Sequence, residues 1–209
     1  MKTRAELKEI ARENFKNKYW ITVGSVVIVS LVVAAVSIVP FAGWLATIFV
    51  GTPIAIGLTS YFVKLSSKKE EVGIGTSFKD GFDSNYGRKL GGMLWQTLWI
   101  FLWSLLFVIP GIVKSYAYAM TQYILVDCPE VKATDALKIS MRMMQGHKWE
   151  LFVLNLSFIG WAILSAITFG LLGIFYVNPY VMATEAEYYR NLLDESIEKG
   201  VVTAEELGR

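Results

Sequence analysis

The sequence has few of the residues on which enzymes and metalloproteins most often depend. Its 209 residues include one cysteine, Cys128, and one histidine, His147. No disulfide can form within the chain, and the residues for a zinc cluster or a Ser-His-Asp set are lacking. We therefore expect a protein that is not an enzyme and that uses no cofactor and no metal.

Charge is also scarce, and it is unevenly distributed. Charged residues make up 18% of the chain and hydrophobic residues 54%, whereas about 25% of the residues of a soluble domain are charged. Several windows of roughly 20 residues contain no charged side chain, which is the signature of a membrane-spanning helix. The net charge of +2 gives no reason to expect a nucleic-acid partner. The composition predicts an integral membrane protein whose first partner is the lipid bilayer.

The apolar windows predict an all-α membrane protein, a bundle of six transmembrane helices arranged as three hairpins. A helix of 20 residues is about 30 Å long, which is about the thickness of the hydrocarbon core. A cytoplasmic amphipathic helix over 1–19 and a cytoplasmic tail helix over 190–209 flank the membrane domain, 20–189. The six predicted spans are 20–39, 44–65, 90–109, 111–127, 149–169 and 171–189. The two predicted cytoplasmic loops, 66–89 and 128–148, connect the hairpins.

The distribution of basic residues predicts the orientation. Of the 20 Lys and Arg residues, 19 lie in the four predicted cytoplasmic segments or at their edges, and the turns after spans one, three and five carry no charge. Because loops rich in Lys and Arg stay on the cytoplasmic side, both termini are expected in the cytoplasm. The predicted location is the plasma membrane, with multiple passes.

Two segments outside the spans have an amphipathic pattern. In residues 3–18 the apolar stripe is Leu7, Ile10, Ala11 and Phe15, and in residues 130–146 the seam runs through Ala133, Leu137, Ser140 and Met144. Such helices can lie on an anionic leaflet or can pack on their own protein. The sequence leaves both alternatives open.

A few polar residues fall inside the predicted spans and form a candidate intramembrane polar site. Lys114 lies three residues past Gly111, so its ammonium can either reach the outer surface by snorkelling or face a polar cavity. In the second case it would face Gln96, Gln122, Asn155 and Asn178. No Asp or Glu is assigned to the membrane interior, because residues from about 185 onward are taken as a charged continuation of the sixth helix.

Two prolines, Pro53 and Pro179, interrupt the second and sixth spans, and each follows a polar residue. A proline leaves the carbonyl four residues earlier without its amide donor, so we expect a helix kink at each position. The freed groups can coordinate a ligand, as in the discontinuous helices of transporters. Alternatively, neighbouring helices can supply the missing hydrogen bonds.

Several motifs resemble a known family. They include residues 109–120 (IPGIVKSYAYAM), 136–141 (ALKISM), 146–154 (GHKWELFVL) and 156–161 (LSFIGW), and residues 4–8 (RAELK) are similar too. Together they resemble a family of bacterial integral membrane proteins known as domain of unknown function 975. The resemblance implies a multi-pass protein of the bacterial plasma membrane, and it transfers no catalytic or binding residue.

Three functions remain as hypotheses. The first is a non-enzymatic accessory protein that binds another membrane or cytosolic protein, or itself, through its cytoplasmic helices. The alternative is a small oligomeric transporter or channel that uses Lys114, the other polar residues of the spans and the two proline breaks. An enzyme acting on a lipid is the third and has the least support, because no catalytic set is present.

The orientation leads to the first prediction. A reporter enzyme fused after Arg209 should be active in the cytoplasm, because the positive-inside rule keeps the tail there. Activity of the same fusion outside the cytoplasm would overturn the predicted topology.

Overall fold

The computed structural model describes residues 2–37, 45, 47–67, 72–106 and 108–208, and every regular element in those ranges is helical. The prediction of an all-α protein is confirmed over these residues. The predicted turn 40–43 lies outside them. The α-helices are α1 (Arg4–Asn17), α2 (Tyr19–Ser37), α3 (Thr52–Ser67), α4 (Thr76–Gly81), α5 (Tyr86–Leu106), α6 (Val108–Ala117), α7 (Thr121–Asp127), α8 (Ala133–Met143), α9 (Lys148–Leu156), α10 (Ile159–Ile167) and α11 (Asn178–Glu198).

The first amphipathic helix packs on its own protein. Thr3 and Glu6 form a capping box at the start of α1, and the apolar stripe of Leu7, Ala11 and Phe15 is buried. Helix α1 packs along α11, where the Asn14 side-chain amide donates to Glu187 Oε1 at 2.7 Å. Three of the four residues of the predicted stripe therefore face the protein, and the fourth, Ile10, is half-buried.

A large apolar surface is exposed on the helices that the sequence assigns to the membrane. Leu105 is 75% exposed, Ile109 74% and Phe169 98%. The exposed large apolar residues concentrate on α2, α5, α6, α9, α10 and the residues just after α10, for example Trp20, Leu31, Phe101, Ile112, Ile163, Ile167 and Leu171. Soluble monomers rarely expose contiguous apolar patches of this kind, and such patches mark protein or membrane contact.

Among the described residues, two helical stretches are long and apolar enough to cross a membrane. They are Thr47–Ser67, with 21 residues, and Lys148–Ile167, with 20. A third span results if Arg4–Lys16 and Tyr19–Ala35, which meet at 90°, are counted as one. Helix length and composition thus support two or three spans, whereas the sequence predicts six.

The second hairpin differs from its prediction in two ways. Pro110 and Gly111 belong to α6 rather than to a turn. Pro110 is the third residue of this helix, where its missing amide would have had no partner. A Cβ on Gly111 would lie 2.2 Å from Ser104 Oγ, so glycine permits α6 to pack closely on α5.

The predicted fourth span, 111–127, is divided between α6 and α7 by a turn at residues 118–120. Ser140 of α8 stabilises this turn, since its hydroxyl donates to the Ala117 carbonyl at 2.9 Å and accepts from the Met120 amide at 3.2 Å. A helix of ten residues is about 15 Å long, so neither part could cross a bilayer alone.

The C-terminal segment packs on the protein instead of extending into water. Helix α11 runs without a break through the predicted boundary at 190 and buries Tyr189, Leu192 and Leu193 in the core. Beyond it, Val202 and Leu207 are also buried, and Arg142 of α8 pairs with Glu206 at 3.0 Å. A hydrogen bond from the Thr203 backbone, together with Arg142, lowers the pKa of the Glu206 carboxyl.

Two glycines permit the closest contact between helices α3 and α4. A Cβ on Gly57 would lie 1.7 Å from the Ser77 carbonyl oxygen, and one on Gly81 would lie 2.5 Å from the carbonyl oxygen of Pro53. The segment that contains α4 is therefore held against α3 by backbone-to-backbone packing.

This contact gives the second prediction. Gly57→Ala should lower the stability by about 1–3 kcal/mol, since α4 must move to admit the methyl group. Gly91→Ala in α5 is the matched control, because nothing lies within 4 Å of its Cβ position. The control should be neutral or should gain up to about 1 kcal/mol of helix propensity. Thermal unfolding in detergent measures both variants, and equal midpoints would contradict the packing.

Candidate functional site

Five helices surround a polar cavity of about 340 Å³. Its polar lining includes Gln96 of α5, Gln122 and Tyr123 of α7, Asn155 of α9 and Glu185 of α11. Ser115 and Tyr116 of α6 also line it, and Ala119, Met120 and Leu151 complete the wall. The cavity therefore combines several amides and one carboxylate with a partly apolar surface.

The local fold explains why these side chains meet. The turn that Ser140 holds ends α6 early and restarts the chain as α7, so that Gln122 and Tyr123 stand at the beginning of a new helix. On α9 the residues Leu151 and Leu154 are buried. Asn155 lies four residues after Leu151, on the same face of the helix, and both residues line the cavity.

Two amide oxygens in this cavity have no hydrogen-bond partner in the described part of the chain. They are Gln96 Oε1 and Asn155 Oδ1, and both atoms are buried. Other buried side-chain atoms in the described residues also lack a partner, for example Ser77 Oγ and Thr121 Oγ1, but they belong to residues that do not line this cavity. A buried acceptor left without a donor costs about 1–3 kcal/mol. Two such oxygens in one cavity form an arrangement that a hydrogen-bond donor would stabilise.

Two hydrogen bonds join α7 and α11 beside the cavity, and each helix donates one of them. The Tyr123 hydroxyl donates to Glu185 Oε2 at 3.2 Å, and the Tyr189 hydroxyl donates to Asp127 Oδ2 at 3.0 Å. The two tyrosine rings stack with their centroids 5.3 Å apart. Each helix thus contributes one tyrosine and one carboxylate, spaced four residues apart, and the pair fixes the position of Glu185.

A second cavity, of about 350 Å³, lies next to this pair and is lined by charged residues. Lys64 pairs with Asp80 at 3.0 Å and Lys89 pairs with Asp83 at 2.8 Å, while Asp127 and Arg190 also line the wall. Because α5, α7 and α11 border both cavities, the two lie along the same helices. The charged cavity is on the side where the Lys and Arg residues concentrate.

The sequence-predicted site is only partly brought together. Gln122 and Asn155, with Gln96, line the polar cavity, but Lys114 and Asn178 do not. The Lys114 ammonium lies 5.0 Å from the ring centre of Trp103 and 5.8 Å from that of Tyr118. Asn178 is exposed at the start of α11.

The helices around Pro53 and Pro179 have the same local structure and the same kind of compensating hydrogen bond. A five-residue π-helical turn precedes each break, Thr47–Gly51 before Pro53 and Gly173–Val177 before Pro179. The carbonyls four residues before the prolines, those of Phe49 and Phe175, each accept a hydrogen bond from a tyrosine hydroxyl. Tyr86 donates to the first at 2.8 Å and Tyr19 to the second at 3.4 Å. Neighbouring helices thus supply the lost hydrogen bonds, which favours a structural role for both prolines.

Residues 105–196 match the model of a family described as a protein of unknown function, DUF975. Over this segment the chain is similar to the DUF975 family. The resemblance seen in the sequence motifs is therefore confirmed over these residues. No curated protein and no solved structure matches the chain.

The DUF975 segment contains most of the cavity, namely Ser115, Gln122, Tyr123, Asn155 and Glu185, whereas Gln96 lies before it. Sequence reasoning missed Glu185, which was assigned to a solvated tail although it falls within the predicted sixth span. The spacing of Glu185 and Tyr189, repeated as Tyr123 and Asp127, was the signal that could have identified it. Residues four apart lie on one face of a helix.

The unpaired amide oxygen of Asn155 gives the third prediction. Asn155→Leu should leave the midpoint of thermal unfolding unchanged or raise it, because the variant replaces an unpaired amide with an apolar group of similar size. Asn14→Leu is the matched control and should lose about 1–3 kcal/mol, because Glu187 would be left without its buried donor. An equally large loss in both variants would show that Asn155 is already satisfied.

Proposed function

We propose that the chain is a multi-pass integral membrane protein. The exposed apolar side chains of α2, α5, α6 and α10 support insertion into lipid, since water would disfavour this surface. We further propose that the three predicted hairpins enter the bilayer with both termini in the cytoplasm. The six spans of that arrangement would include helices broken into shorter pieces.

In this arrangement the polar cavity lies near the cytoplasmic edge of the hydrocarbon. Gln96 follows Lys89 by seven residues on α5, and Asn155 follows Lys148 by seven residues on α9. At about 1.5 Å per residue, each amide is about 10 Å deeper than the cation at the start of its helix. The cavity is thus deep enough to be screened from bulk water and close enough to be reached from the cytoplasm.

We propose that this cavity binds a small polar solute and that the protein acts as a small membrane transporter. The observation that carries the proposal is the shared cavity of Gln96 Oε1, Asn155 Oδ1 and the Glu185 carboxylate. Buried polar groups are normally paired, and groups that await a ligand are a common exception. An intramembrane ionisable residue is by default a candidate functional group.

The accessory role stays a prediction, but the apolar helix faces that were expected to bind a partner are buried within the protein. It depends on cytoplasmic helices that offer apolar faces to a partner. Helix α1 buries its stripe against α11, and α8 buries Leu137, Ile139 and Met143 in the same core. A partner would therefore have to bind polar faces of these helices.

Cysteine accessibility tests the proposed function and is the fourth prediction. In a Cys128→Ala background, Asn155→Cys should react with a water-soluble methanethiosulfonate added from the cytoplasmic side, because the cavity admits polar molecules. Ile163→Cys is the control, since Ile163 is 58% exposed on the apolar surface and should be covered by lipid.

Labelling of neither position would mean that the cavity is closed to water and would contradict solute binding. Labelling of Ile163→Cys as fast as Asn155→Cys would contradict insertion of α10 into the bilayer.

A further inference from the structure

We infer that the solute is a small primary ammonium compound, a class that the proposed solute-binding function does not itself specify and on which this inference rests. The inference stands on the charge of the cavity lining, the number and kind of its hydrogen-bonding atoms and its aromatic wall.

The lining carries a single formal charge, which is negative. Glu185 contributes it, and no Lys, Arg or His is among the residues that line the cavity. The cations Lys64, Lys89 and Arg190 line the second cavity instead, where Lys64 is paired with Asp80 and Lys89 with Asp83. An anion would meet the Glu185 carboxylate without a compensating cation, whereas a cation would neutralise it.

The two buried atoms of the described lining that lack a hydrogen-bond partner are both acceptors. Gln96 Oε1 and Asn155 Oδ1 are unpaired. Glu185 receives the Tyr123 hydroxyl on Oε2, which leaves Oε1 as a third acceptor. A primary ammonium carries three N–H donors and no acceptor, so its donors match these three oxygens in number and kind. A charged donor also makes stronger hydrogen bonds than a neutral one.

The rest of the wall suits the remainder of such a molecule. The rings of Tyr116 and Tyr123 line the cavity, and aromatic faces attract cations. Met120 and Leu151 provide apolar surface for a short carbon chain. A divalent metal is a poor alternative, because it needs more oxygen ligands than one carboxylate and two amides provide. In the described residues no group of three His, Cys, Asp or Glu could hold a metal ion.

The test, our fifth prediction, uses the full chain in lipid nanodiscs and follows its thermal unfolding. Ethylammonium chloride should raise the unfolding midpoint in a saturable manner, compared with sodium chloride at the same ionic strength. Acetamide and sodium acetate, which are close to it in size but neutral or anionic, should have no comparable effect.

Two variants and one control connect this response to the cavity. Glu185→Gln should weaken the apparent affinity for ethylammonium by about tenfold or more, because a charge-assisted hydrogen bond is lost. Gln96→Leu should fold at least as stably as the wild type and should also lose the response, which keeps the test valid if Glu185→Gln fails to fold. Glu198→Gln changes an exposed carboxylate outside the cavity and should respond as the wild type does.

The outcomes separate this inference from the proposed function. If acetamide or acetate stabilises the protein and Gln96→Leu abolishes that effect, the cavity binds solutes but the ammonium assignment is wrong. The assignment is equally wrong if ethylammonium has no effect while Asn155→Cys is labelled from the cytoplasm. If no probe stabilises the protein and no labelling occurs, both the assignment and the proposed function fail.

Discussion

The structure depends on one constraint: a polar group that is removed from water must find a hydrogen-bond partner. The constraint is met at positions where a helix is interrupted or a polar side chain is buried. The carbonyls freed by Pro53 and Pro179 are satisfied by tyrosine hydroxyls. The buried Asn14 meets Glu187, and the break between α6 and α7 is bridged by Ser140. In each case the partner comes from another helix, so satisfying the backbone and side chains also decides which helices pack together.

Two of the exceptions to this constraint belong to the candidate site. Gln96 and Asn155 line one cavity together with Glu185, and each of these two amides has a buried oxygen without a partner. The carboxylate is held by Tyr123, and its helix is joined to α7 a second time through Tyr189 and Asp127. A carboxylate next to two unpaired acceptors lowers the free energy of unfolding, because no contact within the protein compensates for the missing hydrogen bonds. We interpret that cost as the consequence of binding a donor, in keeping with the rule that local violations of good packing concentrate at functional sites.

The sequence predicted features that follow from local composition and missed those that depend on long-range contacts. The helical class and the polar residues Gln122 and Asn155 could be recognised from apolar windows and from residue type, and the kinks expected at the two prolines stay a prediction. The turn at residues 118–120 could not, because Ser140, some 20 residues away, supplies its hydrogen bonds. That turn changes which residues of α6 and α7 face the cavity, so Lys114 was included. Glu185 was overlooked because it was assigned to the charged tail. Charge alone was misleading in the last helix, where Glu185 and Glu187 both find partners inside the protein.

The central claim is that the unpaired acceptors around Glu185 exist to bind a small cationic solute. Native mass spectrometry of the protein, extracted in mild detergent from its own membrane, tests it most directly. The account predicts that one small ammonium compound stays bound to each chain and is lost from the Glu185→Gln variant. A chain that carries no small molecule but holds a second polypeptide at fixed stoichiometry would contradict the account and would identify the protein as an accessory subunit.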